Sequence, residues 1–134
     1  MQIKPLTPAI GAEITGIDLA SPLDDDLQQQ VYDALVDNLV VFFPDQDVGA
    51  GAQLRFAETF GTVDKPHPVY PHVDGFQQVT LLENDGERPP DTNAWHTDLT
   101  YYPNPPFASI LHARDIPETG GDTLWASMYA AYDA

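Results

Sequence analysis

The chain has 134 residues, 43% of them hydrophobic, which is enough for one domain with a core and is not the composition of a disordered segment. Twenty-one acids stand against five bases, for a formal net charge of −16, so a phosphate backbone or an anionic membrane surface is repelled. Cysteine is absent, which excludes disulfides, zinc–thiolate sites and cysteine nucleophiles.

No apolar run follows a basic N-terminal segment, and no apolar stretch reaches membrane-spanning length, so a cytoplasmic location is expected. The acidity reads as a solvated surface, with adaptation to high salt as the sharper alternative. An anionic ligand would need local cationic or hydrogen-bonding groups.

In chain order, residues 3–17 alternate loosely and carry Pro5, Pro8, Gly11 and Gly16, which predicts two short strands and a turn near a sheet edge. Leu27, Val31, Leu35 and Leu39 recur every four residues, so a helix is predicted over 24–39, with Asp24, Asp25 and Asp26 at its positive end. Val40 to Phe43 reads as a buried strand that Pro44 ends. A weaker helix is predicted over 49–60, with Gly61 as its C-cap. Residues 65–72 form a proline-punctuated loop, 79–82 a strand, and 85–92 a polar loop. Strands are predicted again at 93–98, 107–116 and 122–126, with a Gly120–Gly121 turn before the last. Ser127 opens a helix still running at Ala134. Several short strands after helices suggest an α+β fold with a jelly-roll-like core. The single domain, 1–134, reads as the N-terminal portion of a longer protein.

Within the strand predicted at 93–98, His96 and Asp98 are separated by one residue. On a strand they share a face, with Trp95 turned into the core and Thr97 beside it. An imidazole and a carboxylate are two thirds of the 2-His-1-carboxylate arrangement that holds non-haem iron. The bland alternative is a half-buried strand carrying an ion pair. Farther on, Thr123 and Trp125 alternate after the paired glycines, and a threonine hydroxyl there can donate to a carboxylate.

Taken together, Trp95-His96-Thr97-Asp98, Pro105-Pro106 and Gly120-Gly121-Asp122-Thr123-Leu124-Trp125 resemble the taurine catabolism dioxygenase family. The segments 10–16, 40–46, 60–61 and 66–72 resemble it as well, in the expected order. The resemblance implies a double-stranded β-helix (cupin-like jelly roll) preceded by helices. It also implies an Fe(II)- and 2-oxoglutarate-dependent dioxygenase that uses O2 to hydroxylate a small anionic substrate such as taurine, another sulfonate or an alkyl sulfate, within sulfur metabolism. His96 and Asp98 would be iron ligands, Thr123 would hold 2-oxoglutarate, and His67 and Tyr70 would contact the substrate. Where taurine-acting members carry an asparagine, this chain has Thr92, with Asn93 next to it; both are substrate-binding candidates. The family's distal histidine ligand and its 2-oxoglutarate-pairing arginine have no counterpart in these residues. A non-catalytic jelly-roll module binding a small anion or a redox-inert metal is therefore the competing expectation. Exposed strand edges leave a homo-oligomer open.

Overall fold

A computed structural model describes residues 1–85, 87 and 94–134. Strands β1 (Gln2–Pro5) and β2 (Ala12–Thr15) pair antiparallel, from Gln2 opposite Thr15 to Pro5 opposite Ala12. Pro5 lacks a backbone donor, and β1 is an edge strand, where that loss is tolerated. The connecting turn is held by the Leu6 N–H donating to the Gly11 carbonyl at 2.8 Å, with Gly11 at φ +93°.

Helix α1 runs Asp25–Asn38. Asp24 caps it, its Oδ1 accepting from the Leu27 N–H at 2.8 Å. That bond satisfies one of the otherwise orphaned first-turn donors, and the carboxylate also meets the positive end of the helix dipole. Asp24→Ala is therefore expected to lower stability by about 1 kcal/mol, read in a urea melt. Val31 and Ala34 are buried on the inner face. At the C-terminus Leu39 enters the left-handed region at φ 67°, and its N–H reaches back to the Leu35 carbonyl at 2.7 Å. The chain then enters β3 (Val41–Phe42), which lies parallel to β2, with Ala12 opposite Val41. The helix is the crossover that a parallel pair requires.

Helix α2 spans Ala50–Glu58 and ends earlier than Gly61 led us to expect. The reason is local: the Thr59 hydroxyl donates to the Phe56 carbonyl at 2.7 Å, satisfying a terminal acceptor without a glycine cap. Leu19, Val31, Val48 and Phe56 form the core, with Ile17, Leu23, Phe43 and Phe60 packed on it. Gln46 ties the surrounding loops: its Oε1 accepts from the Leu19 N–H at 2.9 Å, and its Nε2 donates to the carbonyls of Ile17 at 3.2 Å and Pro44 at 3.0 Å.

A hairpin follows, β4 (His72–Val73) with β5 (Phe76–Thr80). The strand begins before the expected residue 79 because Asp74-Gly75, with Gly75 at φ +79°, closes a two-residue turn. Gly51 leaves room for the Phe76 ring, which would lie 3.2 Å from a Cβ at that position, so the hairpin seats on α2.

Three expected strands do not form. Residues 94–98, 107–116 and 122–126 follow irregular paths. A β-rich sequence becomes a strand only with a ladder partner, and no described residue supplies one. Without the strand's alternation Trp95 is not in the core; it is 70% exposed. The described residues thus form one three-stranded and one two-stranded sheet with helices, an α+β arrangement that is not itself a double-stranded β-helix. Aromatic contacts hold the later segments on the earlier ones. Tyr32 of α1 stacks on Phe107 at 5.4 Å, and Phe42 of β3 meets Trp125 edge-on at 5.1 Å. Helix α3 (Met128–Asp133) starts where expected, with the Ser127 hydroxyl accepting from the Ala130 N–H at 3.2 Å. Among the described residues no helix is long and apolar enough to cross a membrane.

Candidate metal centre

His96 and Asp98 converge, although not by way of a strand. His96 Nε2 lies 3.3 Å from Asp98 Oδ1. The other ring nitrogen, Nδ1, is 2.9 Å from the Ala94 carbonyl oxygen. A carbonyl only accepts, so Nδ1 carries a proton and donates it. In the neutral ring the Nε2 lone pair therefore faces a carboxylate oxygen. Two such electron-rich atoms sit stably together only with a cation between them, either a proton on the ring or a metal ion.

The geometry suits a metal. Adjacent ligands at right angles on bonds of about 2.1 Å stand roughly 3 Å apart. Metal-bound histidines also commonly donate their second ring N–H to a backbone carbonyl, which fixes the tautomer and the ring orientation. The alternative, an imidazolium–carboxylate pair, would contribute little here, because both side chains are 57% exposed and solvent screens them. Among the described residues no third His, Cys, Asp or Glu joins the pair.

Backbone turns position the carboxylate. Leu99, immediately after Asp98, is left-handed at φ 52°, and the Tyr102 N–H closes onto the Leu99 carbonyl at 3.0 Å. The Thr97 and Thr100 hydroxyls bond across this turn at 2.8 Å. A γ-branched residue with positive φ costs about 1–2 kcal/mol, so the surrounding contacts hold it there. The reversal brings Ser109 back to Asp98, where its hydroxyl donates to Oδ2 at 3.1 Å. Eleven residues of separation and an ordinary serine left no signal in the sequence for this contact. In the same turn the neighbouring Tyr101 raises the Tyr102 phenol above its usual range, with desolvation, a hydrogen bond to Tyr101 and the Asp64 charge adding to it.

His67 and Tyr70 form a second feature. The His67 Nδ1 accepts from the backbone N–H groups of Val69 at 3.3 Å and Tyr70 at 3.2 Å, which in the neutral ring leaves the proton on Nε2. The two rings pack at 4.6 Å with a 32° tilt. Thr123 is exposed and follows Gly120 and Gly121, both left-handed at φ 79° and 71°, which make the expected turn. No described hydrogen bond joins Thr123 to His96 or Asp98. Thr92 and Asn93 lie outside the described residues.

An imidazole and a carboxylate that approach to 3.3 Å, in an oxygen- and nitrogen-donor setting without thiolates, could together hold a single metal ion of the kind iron is. The chain belongs to the taurine catabolism dioxygenase TauD, TfdA family, whose model matches residues 2–134. It is 44% identical over 134 residues to an alkylsulfatase of Acinetobacter baylyi, covering 99% of this chain and 41% of the relative. It is 39% identical over 133 residues to an alpha-ketoglutarate-dependent sulfate ester dioxygenase of Pseudomonas putida, covering 98% and 43% respectively. The structure resembles that of a taurine dioxygenase from Burkholderia xenovorans, with a TM-score of 0.54 and 41% identity over 57% of this chain and 27% of that one. The chain thus spans about two fifths of the length of these curated relatives. Fe(II) and 2-oxoglutarate (alpha-ketoglutarate) are the cofactor and co-substrate that the family implies.

Proposed function

We propose that this chain supplies two iron ligands, His96 through Nε2 and Asp98 through Oδ1, to an Fe(II)- and 2-oxoglutarate-dependent dioxygenase acting on a sulfate ester or sulfonate. The observation that carries the reading is the 3.3 Å approach of these two atoms with the Nδ1 proton already committed to Ala94. On this reading the chain corresponds to the N-terminal part of a jelly-roll fold. The third histidine ligand and the arginine pairing with 2-oxoglutarate then lie in the length of the relatives that this chain does not span.

When bound, Fe(II) and 2-oxoglutarate would supply O2 activation coupled to decarboxylation to succinate and CO2. The protein's own part is to bind and orient. Thr123 is assigned as a hydrogen-bond donor to a 2-oxoglutarate carboxylate. His67, through its Nε2–H, and Tyr70 are assigned to the substrate's anionic oxygens, with Thr92 and Asn93 beside them. On a surface with formal net charge −16, such directed donors are what lets an anion bind. An alkyl sulfate is the preferred substrate class, because the two relatives above are named for sulfate esters. Hydroxylation of the carbon bearing the ester oxygen gives an adduct that collapses to an aldehyde, releasing sulfate and a proton.

The test, made on the full-length protein that contains this chain, is anaerobic loading with Fe(II), addition of 2-oxoglutarate and O2, and measurement of succinate against a panel of alkyl sulfates and sulfonates. Succinate and sulfate formed together in equal amounts are expected. Fe(II) binding with no succinate from any member of the panel favours the second reading, a non-catalytic binding module. That reading draws on the absence of a third ligand among the described residues. In the catalytic case, His67→Ala is expected to raise KM for the alkyl sulfate about 10- to 100-fold by removing a hydrogen bond to a charged group, with a smaller change in kcat.

A further inference from the structure

We infer that Ser109 is a positioning residue for the metal centre, holding Asp98 to one-oxygen coordination. The inference rests on the proposed iron-binding role of His96 and Asp98. The two oxygens of Asp98 have separate partners: Oδ1 faces His96 Nε2 at 3.3 Å, and Oδ2 accepts the Ser109 hydroxyl at 3.1 Å. A carboxylate free to rotate can give both oxygens to a metal. One whose Oδ2 already accepts a hydrogen bond has its plane fixed and that oxygen's charge partly engaged, which favours Oδ1 as the ligand atom.

The distinction matters for the number of open positions. A metal held here would need one position left open for O2 beside its protein ligands and the co-substrate. A second oxygen from Asp98 would occupy it. Ser109 keeps that position free.

Ser109 is suited to this task because its segment contacts helices α1 and α2. Two residues earlier, Phe107 stacks on Tyr32 of α1 at 5.4 Å. One residue later, the Ile110 carbonyl accepts from Gln53 Nε2 of α2 at 3.3 Å. The hydroxyl is thus referenced to the helical layer, and through it the exposed Asp98 is too. Without Ser109, Asp98 would keep its Oδ1 approach to His96 but lose the contact that fixes Oδ2.

The experiment measures Mn(II) affinity by chelator competition, and the Mn(II) electron paramagnetic resonance line shape, for the full-length protein containing this chain, as wild type, Ser109→Ala and Ser109→Thr. Melting of the metal-free proteins is followed in parallel. Ser109→Ala is expected to weaken Mn(II) binding about 10- to 100-fold and to change the line shape. Ser109→Thr, which keeps the hydroxyl, is expected to restore both, while the three metal-free melting curves coincide. Ser109→Ala binding within about threefold of wild type would overturn the inference and leave the iron-site reading standing. So would an affinity loss that follows a lowered melting temperature and is not rescued by threonine. Absence of Mn(II) binding by the wild-type full-length protein would remove the iron-site reading, and this inference with it.

Discussion

Replacing His96 with alanine is expected to weaken Fe(II) or Mn(II) binding by about two to three orders of magnitude and to abolish 2-oxoglutarate-coupled turnover. Four-ligand structural zinc sites bind with on the order of 10–16 kcal/mol, and Mn(II) and Fe(II) bind the same donors more weakly. One ligand of four there accounts for roughly 3–4 kcal/mol, or about 10²- to 10³-fold in Kd, which sets the scale of the loss expected here. Asp98→Ala should do the same. Asp98→Asn keeps the shape and an acceptor oxygen for Ser109 but removes the charge, so it is expected to fall between wild type and alanine. Folding should be almost untouched, because both side chains are more than half exposed and an exposed pair contributes at most about 1 kcal/mol. That separation of binding from stability is the signature of a ligand pair. A structural ion pair would show a small stability loss and no effect on metal.

The opposite separation is expected at Ile14. It is fully buried in the middle strand of the three-stranded sheet, with β1 on one side and β3 on the other. Ile14→Ala removes buried methyl groups and leaves a cavity that a strand paired on both edges cannot easily collapse into. The expected cost is about 3 kcal/mol, on the order of 10 °C in Tm. Mn(II) affinity measured well below the transition should stay within about threefold of wild type. Ile14→Val, which deletes one methylene, should cost about 1 kcal/mol. Equal losses for the two variants would mean that the strand is not held as tightly as its burial implies.

Helix α1 was legible because its signal is local. Leucine and valine recur at turn spacing, and an aspartate stands where the first N–H groups need an acceptor. The first hairpin, the Gly120–Gly121 turn and the start of α3 were legible for the same kind of reason. The segments 107–116 and 122–126 were not. Their apolar, β-favouring residues describe a preference for pleated surroundings, and that preference is met only when a partner strand lies alongside. The metal pair is an intermediate case. Its residue types and spacing pointed to convergence, but the expected means, alternation along a strand, is not the one used. The Nδ1 bond to Ala94 aims the imidazole, and a left-handed leucine turns the chain back toward Ser109. No sequence pattern marks a leucine for positive φ, so neither the turn nor the serine contact could be read in advance.

On the proposed reading, one cation is shared by His96 Nε2 and Asp98 Oδ1. A crystal of the protein grown with Mn(II) and measured for anomalous scattering tests it directly. The expected peak lies roughly 2.0–2.2 Å from both His96 Nε2 and Asp98 Oδ1, with Asp98 Oδ2 still accepting from Ser109. Manganese bound at other residues while these two atoms stay in direct contact would contradict it.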